Sequence, residues 1–242
     1  MGGDRVLPME APGADRLLSG WLQTSVACNL IARDRQRAAN SGRSPTWFAY
    51  GQADIEYCQS LSRREGRDVR ASVFVGTSVD GFIARRNGDF DFLPEGGGEP
   101  HGYEEFLASV DVLVIGRHTY EKVLTFDSWP YAGKRVIVLS SRPLHLAKVG
   151  GAVLEQMSGT PAEITERLSG SGTQHAYVDG GITVQRFIRA GLIQRIIVTR
   201  VPVLIGDGIP LFGSLPADVL LRHVLTTTYP SGLVKSEYEV LT

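Results

Sequence analysis

The pattern of apolar positions along the chain changes near Asp68. Before it, the residues are rich in Arg, Ala, Ser and Gly, and only residues 16–39 approach the spacing of an amphipathic helix. From Val69 onward, short runs of Val, Ile and Leu alternate with helix-like segments. We therefore predict a poorly ordered N-terminal extension over residues 1–68 and one folded domain over residues 69–242.

The apolar runs of the folded domain predict buried strands. They cover residues 70–78, 111–116, 134–141, 174–181 and 194–206, with a shorter run at 151–156. Residues 102–109, 118–126, 161–170 and 182–192 are predicted helices, and residues 219–229 and 233–241 flank a Pro-Ser-Gly turn as a hairpin. Unbroken Val/Ile/Leu strands separated by helices are typical of a parallel sheet covered on both faces. The expected fold class is α/β, a mostly parallel central sheet flanked by helices with a C-terminal antiparallel hairpin.

Composition narrows the function classes. With 25 basic and 26 acidic residues the net charge is -1, which argues against a nucleic-acid partner held by charge. The chain has no apolar run of about 18–20 residues and no secretory signal pattern at its N-terminus, so we expect a cytoplasmic protein without a membrane partner. Two cysteines and five scattered histidines lack the spacing of metal ligands, and no metal is expected.

The end of the strand at residues 111–116 carries the first group of residues suited to a phosphate. Gly116 lets the backbone turn sharply or approach a ligand closely. Arg117 offers a planar fork that grips phosphate through two hydrogen bonds. Thr119 falls in the first turn of the next helix, where free N–H groups and the helix dipole attract anions.

Two further strand ends carry similar groups. Ser140, Ser141 and Arg142 follow the strand at 134–141, and the pair Gly180-Gly181 leads directly into a helix. Paired glycines let backbone amides face a pyrophosphate without a Cβ in the way. Each motif alone is more often an ordinary turn. Because parallel sheets bind ligands at the carboxyl ends of their strands, the three together favour a phosphorylated dinucleotide.

Residues 69–242 resemble the dihydrofolate reductase superfamily. They resemble most the reductase (C-terminal) domain of the bacterial bifunctional deaminase-reductase of riboflavin biosynthesis. The segments that carry the resemblance lie in the family's order, at residues 78–84, 114–121, 136–143, 177–188, 192–212 and 226–240.

The resemblance implies NADPH as the cofactor, with Arg117 at its 2′-phosphate. The cofactor contacts that it implies are Val75, Gly76, Ile83, Gly116, Arg117, Thr119, Ser140, Ser141, Arg142, Gly180, Gly181, Ile182 and Thr183. On the substrate side it implies Asp80, Gly81 and Asp207, with Asp80 as the candidate catalytic residue. Asp80 is equally well interpreted as a turn residue next to a glycine.

The resemblance also implies an activity. We expect an NADPH-dependent reductase of a pyrimidine- or pterin-like heterocycle, most similar to 5-amino-6-(5-phosphoribosylamino)uracil reductase, and a possible homodimer. Dihydrofolate reductases carry a buried carboxylate on the helix before the Gly-Arg motif. The acids in that stretch are each better interpreted as solvated surface acids; they are Asp91, Glu95, Glu99 and Glu104. The alternatives are a dihydrofolate or pteridine reductase, and a non-catalytic NADP-binding protein on the same fold.

Overall fold

An eight-stranded sheet forms the centre of the domain. The structure, a computed structural model, describes residues 69–94 and 99–241; the predicted extension over residues 1–68 lies outside the described residues. The strands are β1 (Arg70–Ser78), β2 (Phe82–Ala84), β3 (Val112–Gly116), β4 (Arg135–Leu139), β5 (Val153–Met157), β6 (His175–Asp179), β7 (Arg195–Val201), β8 (Ile209–Pro210), β9 (Leu221–Thr228) and β10 (Val234–Val240). The helices are α1 (Tyr103–Ser109), α2 (Arg117–Val123), α3 (Pro161–Gly170) and α4 (Gly181–Arg189).

The order of the strands across the sheet is β5-β4-β3-β6-β1-β7-β10-β9. The first six are parallel, β10 pairs antiparallel with β7, and β9 pairs antiparallel with β10. The expected mostly parallel sheet with flanking helices and a C-terminal hairpin is therefore confirmed. The central strands are apolar on both sides because helices cover both faces.

Each face of the sheet has its own apolar core. On one face, α1 and α2 contribute Phe106, Tyr120 and Val123, which pack on the sheet; we call this the α1/α2 face. On the other, α3 and α4 contribute buried residues that include Leu168 and Phe187, and we call this the α3/α4 face. Alternation along a strand sends successive side chains to opposite faces, so both cores share the same strands.

The ends of the elements follow local chemistry. The strand β7 ends at Val201 rather than continuing to residue 206, because Pro202 cannot donate a hydrogen bond to the ladder. The helix α3 begins with a capping box, in which the Thr160 side chain and the Glu163 side chain each accept a hydrogen bond from the other residue's backbone N–H. Neither strand of the small antiparallel sheet β2–β8 was predicted. None of the helices in the described part of the chain has the length and apolar character to cross a membrane.

A histidine near the amino-terminal edge of the sheet is held in its neutral form. His175 Nδ1 lies 3.1 Å from the Ser109 carbonyl oxygen and Nε2 lies 2.8 Å from Ser72 Oγ. Since a carbonyl only accepts, Nδ1 carries the proton and Nε2 accepts from the serine hydroxyl. Burial lowers the pKa of His175, and the positive charges of Arg70 and Arg195 lower it further.

We expect this histidine to make stability depend on pH. A histidine in the unfolded chain titrates near pH ~6.5, so below that value the unfolded state takes up the proton first. The contribution of neutral His175 is therefore fully present above that pH and is lost as the pH falls. Urea unfolding should show a larger loss of stability between about pH 7 and about pH 5.5 for the wild type than for His175→Gln. Equal losses in the two proteins would contradict this assignment.

Candidate functional site

The carboxyl ends of the parallel strands meet at one edge of the sheet. From β3 the chain continues to β4 on one side, whereas from β6 it continues to β7 on the other side. The adjacent pair β3 and β6 is thus the point where the direction of winding changes, which is where open α/β sheets form a crevice. The turns into α2 and α4 flank this crevice.

These two turns cross at very close range. A Cβ on Gly116, at the end of β3, would lie 2.8 Å from Thr183 Oγ1 on α4. A Cβ on Gly180 would overlap Thr119 Oγ1 on α2, and Gly180 has a φ of 90°, which favours glycine. The structure therefore brings together two pairs of predicted cofactor residues that lie far apart in sequence, Gly116 with Thr119 and Gly180 with Thr183.

The crossing leaves polar groups that are available to a ligand. Within the described residues, the hydroxyls of Thr119 and Thr183 form no hydrogen bond, although Thr183 is only 6% exposed. The first N–H groups of α4 have no partner inside the helix, and the positive end of the helix dipole lies there. Hydroxyls and amide donors in this arrangement suit the oxygens of a pyrophosphate.

The second glycine of the pair has a different neighbour. A Cβ on Gly181 would lie 2.8 Å from Ile209 Cγ2 and 3.0 Å from Ile83 Cδ1, so this glycine makes room for the small sheet β2–β8. The next residue, Ile182, is 64% exposed. The structure thus places the predicted residues Ile83, Gly181 and Ile182 together beside the crossing. The apolar side chains of Ile83 and Ile182 lie next to the polar groups of the crossing.

Arg117 lies at the start of α2, on the same edge. Its Nε donates to Glu121 Oε1 over 2.7 Å, and this guanidinium lowers the pKa of Glu121. The pairing uses Nε and leaves the two terminal nitrogens for other partners. The Arg117 guanidinium is therefore held by Glu121 on the same helix, and its two terminal nitrogens are available to a ligand.

The third group of residues predicted to bind phosphate follows β4. The Ser140 hydroxyl donates to the Arg142 carbonyl at 2.7 Å and accepts from the Arg142 N–H at 3.2 Å, which closes a short turn. Ser141 is exposed at its tip. Within the described part of the chain the Arg142 guanidinium has no hydrogen bond or ion pair, so its charge is available to an anion.

The residues predicted on the substrate side lie in loops beyond β1 and β7. The Asp80 carboxylate accepts from the backbone N–H of Gly206 at 2.7 Å and of Ile205 at 3.3 Å. Hydrogen bonds to this exposed carboxylate, the one from Ser78 first, lower its pKa. Gly81 donates its N–H to the carbonyl of Ser78, and its own carbonyl accepts from Leu211. In this structure Asp80 joins two loops, and its catalytic role stays a prediction.

Asp207 is also engaged by a neighbour. Its carboxylate forms an exposed ion pair with Arg86, which follows β2 in the chain.

Two residues on β1, Val75 and Gly76, are predicted neighbours of the nicotinamide. The Val75 side chain points into the core of the α3/α4 face at 8% exposure, so only its backbone borders the edge of the sheet. Gly76 lies on the opposite face, covered by Leu93, whose Cδ2 would be 2.8 Å from a Cβ at that position.

A half-buried carboxylate that was not among the predicted site residues lies at the end of β6. The Asp179 Oδ1 accepts the Gly180 N–H at 2.7 Å, and Oδ2 lies 3.4 Å from the Tyr131 hydroxyl, which donates to it. Removal from water raises the pKa of Asp179 despite these hydrogen bonds. Asp179 therefore keeps its proton to a higher pH than an ordinary aspartate.

Aromatic side chains surround this carboxylate on the α1/α2 face. The Phe74 ring lies 5.4 Å from the Tyr103 ring, and the Tyr177 hydroxyl donates to the Phe74 carbonyl at 2.7 Å. Burial raises the pKa of Tyr103, Tyr131 and Tyr177, and the nearby Asp179 adds to the effect. The tyrosines are thus neutral hydrogen-bonding groups in an otherwise apolar wall.

One buried hydroxyl in this region has no hydrogen-bond partner. Thr199 on β7 is 5% exposed, and its Oγ1 is unpartnered among the described residues. In the sheet Thr199 lies between Gly76 on β1 and Lys235 on β10, whose ammonium donates to the His101 carbonyl at 2.7 Å. Thr199 and Lys235 had no sequence signal, because only the strand order places Thr199 beside β1 and Lys235 beside Thr199.

Three of the four acids considered in place of the folate-type carboxylate lie in the described residues, and none of these three enters this region as a free group. Asp91 is exposed and paired with Arg85, and Glu104 is exposed on α1. Glu99 accepts from the Ser231 hydroxyl at 2.6 Å, and Glu95 lies outside the described residues. Among residues 69–94 and 99–241, no group of three or more His, Cys, Asp or Glu side chains is placed to hold a metal ion.

Comparison with known proteins agrees with this architecture. A relative in Bacillus subtilis (strain 168), the uncharacterized protein YwjB, is 34% identical over 154 residues, which is 62% of this chain and 86% of the relative. The crystal structure of a putative riboflavin biosynthesis protein from Shewanella sp. PV-4 superposes with a TM-score of 0.66 at 32% identity, covering 72% of this chain and all of that one. Dihydrofolate reductase from Enterococcus faecalis, complexed with NADP(H), shares the fold with a TM-score of 0.52 at 15% identity, covering 72% and 97% of the two chains.

The family comparison covers most of the domain. The sequence profile described as the RibD C-terminal domain matches residues 71–235, from β1 into β10, and so includes every strand end that forms the crevice. The chain belongs to the RibD C-terminal domain family and has its dihydrofolate reductase-like fold.

Proposed function

We propose that this protein is an NADPH-dependent reductase of the riboflavin-biosynthesis type, acting on a ribose-linked aminopyrimidine. The observation that carries the proposal is the close crossing of the turns into α2 and α4 beside a half-buried carboxylate. The crossing provides donors for a dinucleotide, and the carboxylate lies among aromatic side chains suited to a planar heterocycle. Family membership and the putative riboflavin biosynthesis protein from Shewanella support the choice of pathway.

The cofactor side is assigned to three groups of residues. Thr119 and Thr183 would hold the pyrophosphate, since their hydroxyls have no other partner in the described residues, and Gly180 would leave room for it because it lacks a Cβ. Arg117 and Arg142 would hold the 2′-phosphate, because a guanidinium binds a phosphate through a planar fork. The E. faecalis dihydrofolate reductase binds NADP(H) on the same fold, which supports this choice of cofactor. A reduced nicotinamide bound here would supply the hydride.

The substrate side is assigned to the crevice on the α1/α2 face. Asp179 is the proton-holding group, since burial favours its neutral form and Tyr131 orients it. Tyr103 and Phe74 form an apolar wall that excludes water from the reacting edge of the substrate. Together they hold an electrophile and a proton source in register.

The position of the acid separates this proposal from its folate alternative. A folate-type site needs a carboxylate on the helix before the Gly-Arg motif, and in this chain Glu104 on α1 is exposed. The acid that lies among aromatic side chains, Asp179, instead comes from β6. A titration with NADPH, followed by turnover assays across aminopyrimidine ribosides, dihydrofolate and pterins, tests both enzymes. Binding of NADPH without turnover on any of these would favour the non-catalytic NADP-binding alternative.

The Arg117→Ala substitution tests the cofactor assignment. A charged hydrogen bond to phosphate contributes about 1.5–3 kcal/mol, so we expect NADPH binding to weaken roughly ten- to hundredfold, with NADH binding nearly unchanged. Dissociation constants measured by fluorescence titration check this. Arg167→Ala on α3, whose guanidinium donates to the Ser158 carbonyl, is the matched control and should change neither constant. Equal losses for the two cofactors would remove the role of Arg117.

The Asp179→Asn substitution tests the proton-holding group. Asparagine keeps the size and accepts the Gly180 N–H, but it cannot supply a proton. We expect kcat to fall about 10²- to 10⁴-fold with NADPH affinity changed by less than about twofold. Because burial raises the pKa of Asp179, the wild-type kcat/KM should decrease as the pH rises above that pKa, and the variant should lack this limb. A pH profile of the variant that is the same as that of the wild type would contradict the role of Asp179.

We also propose that two copies of the chain associate through β9. This strand is at the free edge of the sheet and carries exposed apolar side chains, with Leu221 at 41%, Val224 at 47% and Leu225 at 54% exposure. An exposed apolar edge strand is a ready site for pairing with another chain.

Sedimentation velocity tests the association. We expect the wild type to sediment as a dimer and the double variant Val224→Lys/Leu225→Lys as a monomer, because two lysines cannot be buried in a shared interface. Val153→Lys on β5, the opposite edge strand, is the control and should remain dimeric. A monomeric wild type at micromolar concentration would refute the proposal.

A further inference from the structure

The turn that presents Arg142 belongs to a long irregular segment. Residues 140–149 contain no helix or strand. Ser140 extends the β4–β5 ladder by donating its N–H to the Met157 carbonyl at 3.0 Å. Beyond that point the backbone of the segment leaves the sheet, so its polar groups need other partners.

A single side chain from β5 supplies several of those partners. Gln156 Oε1 accepts the Leu144 N–H at 2.9 Å. Gln156 Nε2 donates to the Ser140 carbonyl at 3.1 Å and to the Arg142 carbonyl at 2.8 Å. The Gln156 side chain therefore binds the turn at three points, namely the backbone of Ser140, Arg142 and Leu144.

Only a primary amide meets all three requirements. It has two N–H donors and one carbonyl acceptor, which match two backbone carbonyls and one backbone N–H. A glutamate in this position would place its charge against the two carbonyl oxygens, and an aliphatic side chain would leave all three backbone groups unpaired.

We infer that Gln156 is a positioning residue that sets the preference for a 2′-phosphorylated dinucleotide, an inference that rests on the proposed function. Gln156 acts through the turn, whose outward side chains Ser141 and Arg142 are exposed. Holding the turn in one conformation removes the entropy cost of ordering it when the phosphate binds. Nothing in the proposal requires Gln156 to touch the ligand.

The location of Gln156 separates this role from general support of the site. Its strand β5 is at the edge of the sheet, whereas the crossing of the turns is built on β3 and β6. Gln156 forms no hydrogen bond to Thr119, Gly180 or Thr183, which would hold the part of the dinucleotide that NADH and NADPH share. Its loss should therefore alter the difference between the two cofactors.

The test compares cofactor affinities in the full chain. Gln156→Met keeps the length of the side chain without its hydrogen bonds, and we expect the dissociation constant for NADPH to rise about five- to tenfold, with that for NADH changing by less than about twofold. Val153→Thr, an exposed substitution on the same strand, should leave both constants unchanged. In an Arg142→Ala background, Gln156→Met should have little further effect, because both act on the same contact.

The outcomes are distinguishable from failure of the proposed function. A wild-type protein that binds no NADPH, or binds it no more tightly than NADH, overturns the proposed function together with this inference. A wild type that prefers NADPH, with a Gln156→Met variant that keeps the preference or weakens both cofactors equally, overturns the inference alone. If Gln156→Met does not fold, Gln156→Asn, which is too short to reach all three groups, should show the same loss of preference. Failure of both variants to fold would make the residue structural and would also refute the positioning role.

Discussion

The site depends on one steric constraint, the close passage of two strand-to-helix turns at the centre of the sheet. Gly116 and Gly180 each lie where a Cβ would collide with a threonine hydroxyl of the opposite helix. Because β3 and β6 are neighbours, both turns leave the sheet at the same edge and have no space to separate. The absence of two Cβ atoms lets Thr119 and Thr183 approach from either side, and it brings their unpartnered hydroxyls close to the start of α4. Rigid strands, rather than the loops themselves, hold this geometry.

The same strand end serves two chemical environments. Gly180 belongs to the crossing of the turns, whereas the residue before it, Asp179, faces the α1/α2 side, where Tyr131 donates to it. Adjacent residues at one strand end thus join a polar edge, suited to phosphates, to an aromatic cluster that contains this carboxylate. An acid in such surroundings favours its neutral form because water stabilises its charge less. A hydride donor and a proton donor held by one strand end would keep a fixed separation, which is what the transfer of both to one substrate requires.

Under the proposed function, the placement of the acid would let one fold serve different substrates. In the folate-type arrangement the carboxylate comes from the helix before the Gly-Arg motif, and here helix α1 contributes Tyr103 to the aromatic cluster beside Asp179 and exposes Glu104 to the solvent. Function in this fold therefore resides in the few side chains at the strand ends, and the scaffold alone does not specify it.

The sequence by itself determined the sheet, the hairpin and three of the strand ends, because unbroken apolar runs and glycine positions are local signals. It did not predict the small sheet, since Phe82–Ala84 and Ile209–Pro210 are too short to show a period. Only the tertiary structure decided that Asp179 is half-buried beside tyrosines and that Gln156 closes the turn after β4. Those properties arise from contacts between residues distant along the chain, and desolvation or a shared hydrogen bond exists only once the strands are in their final order.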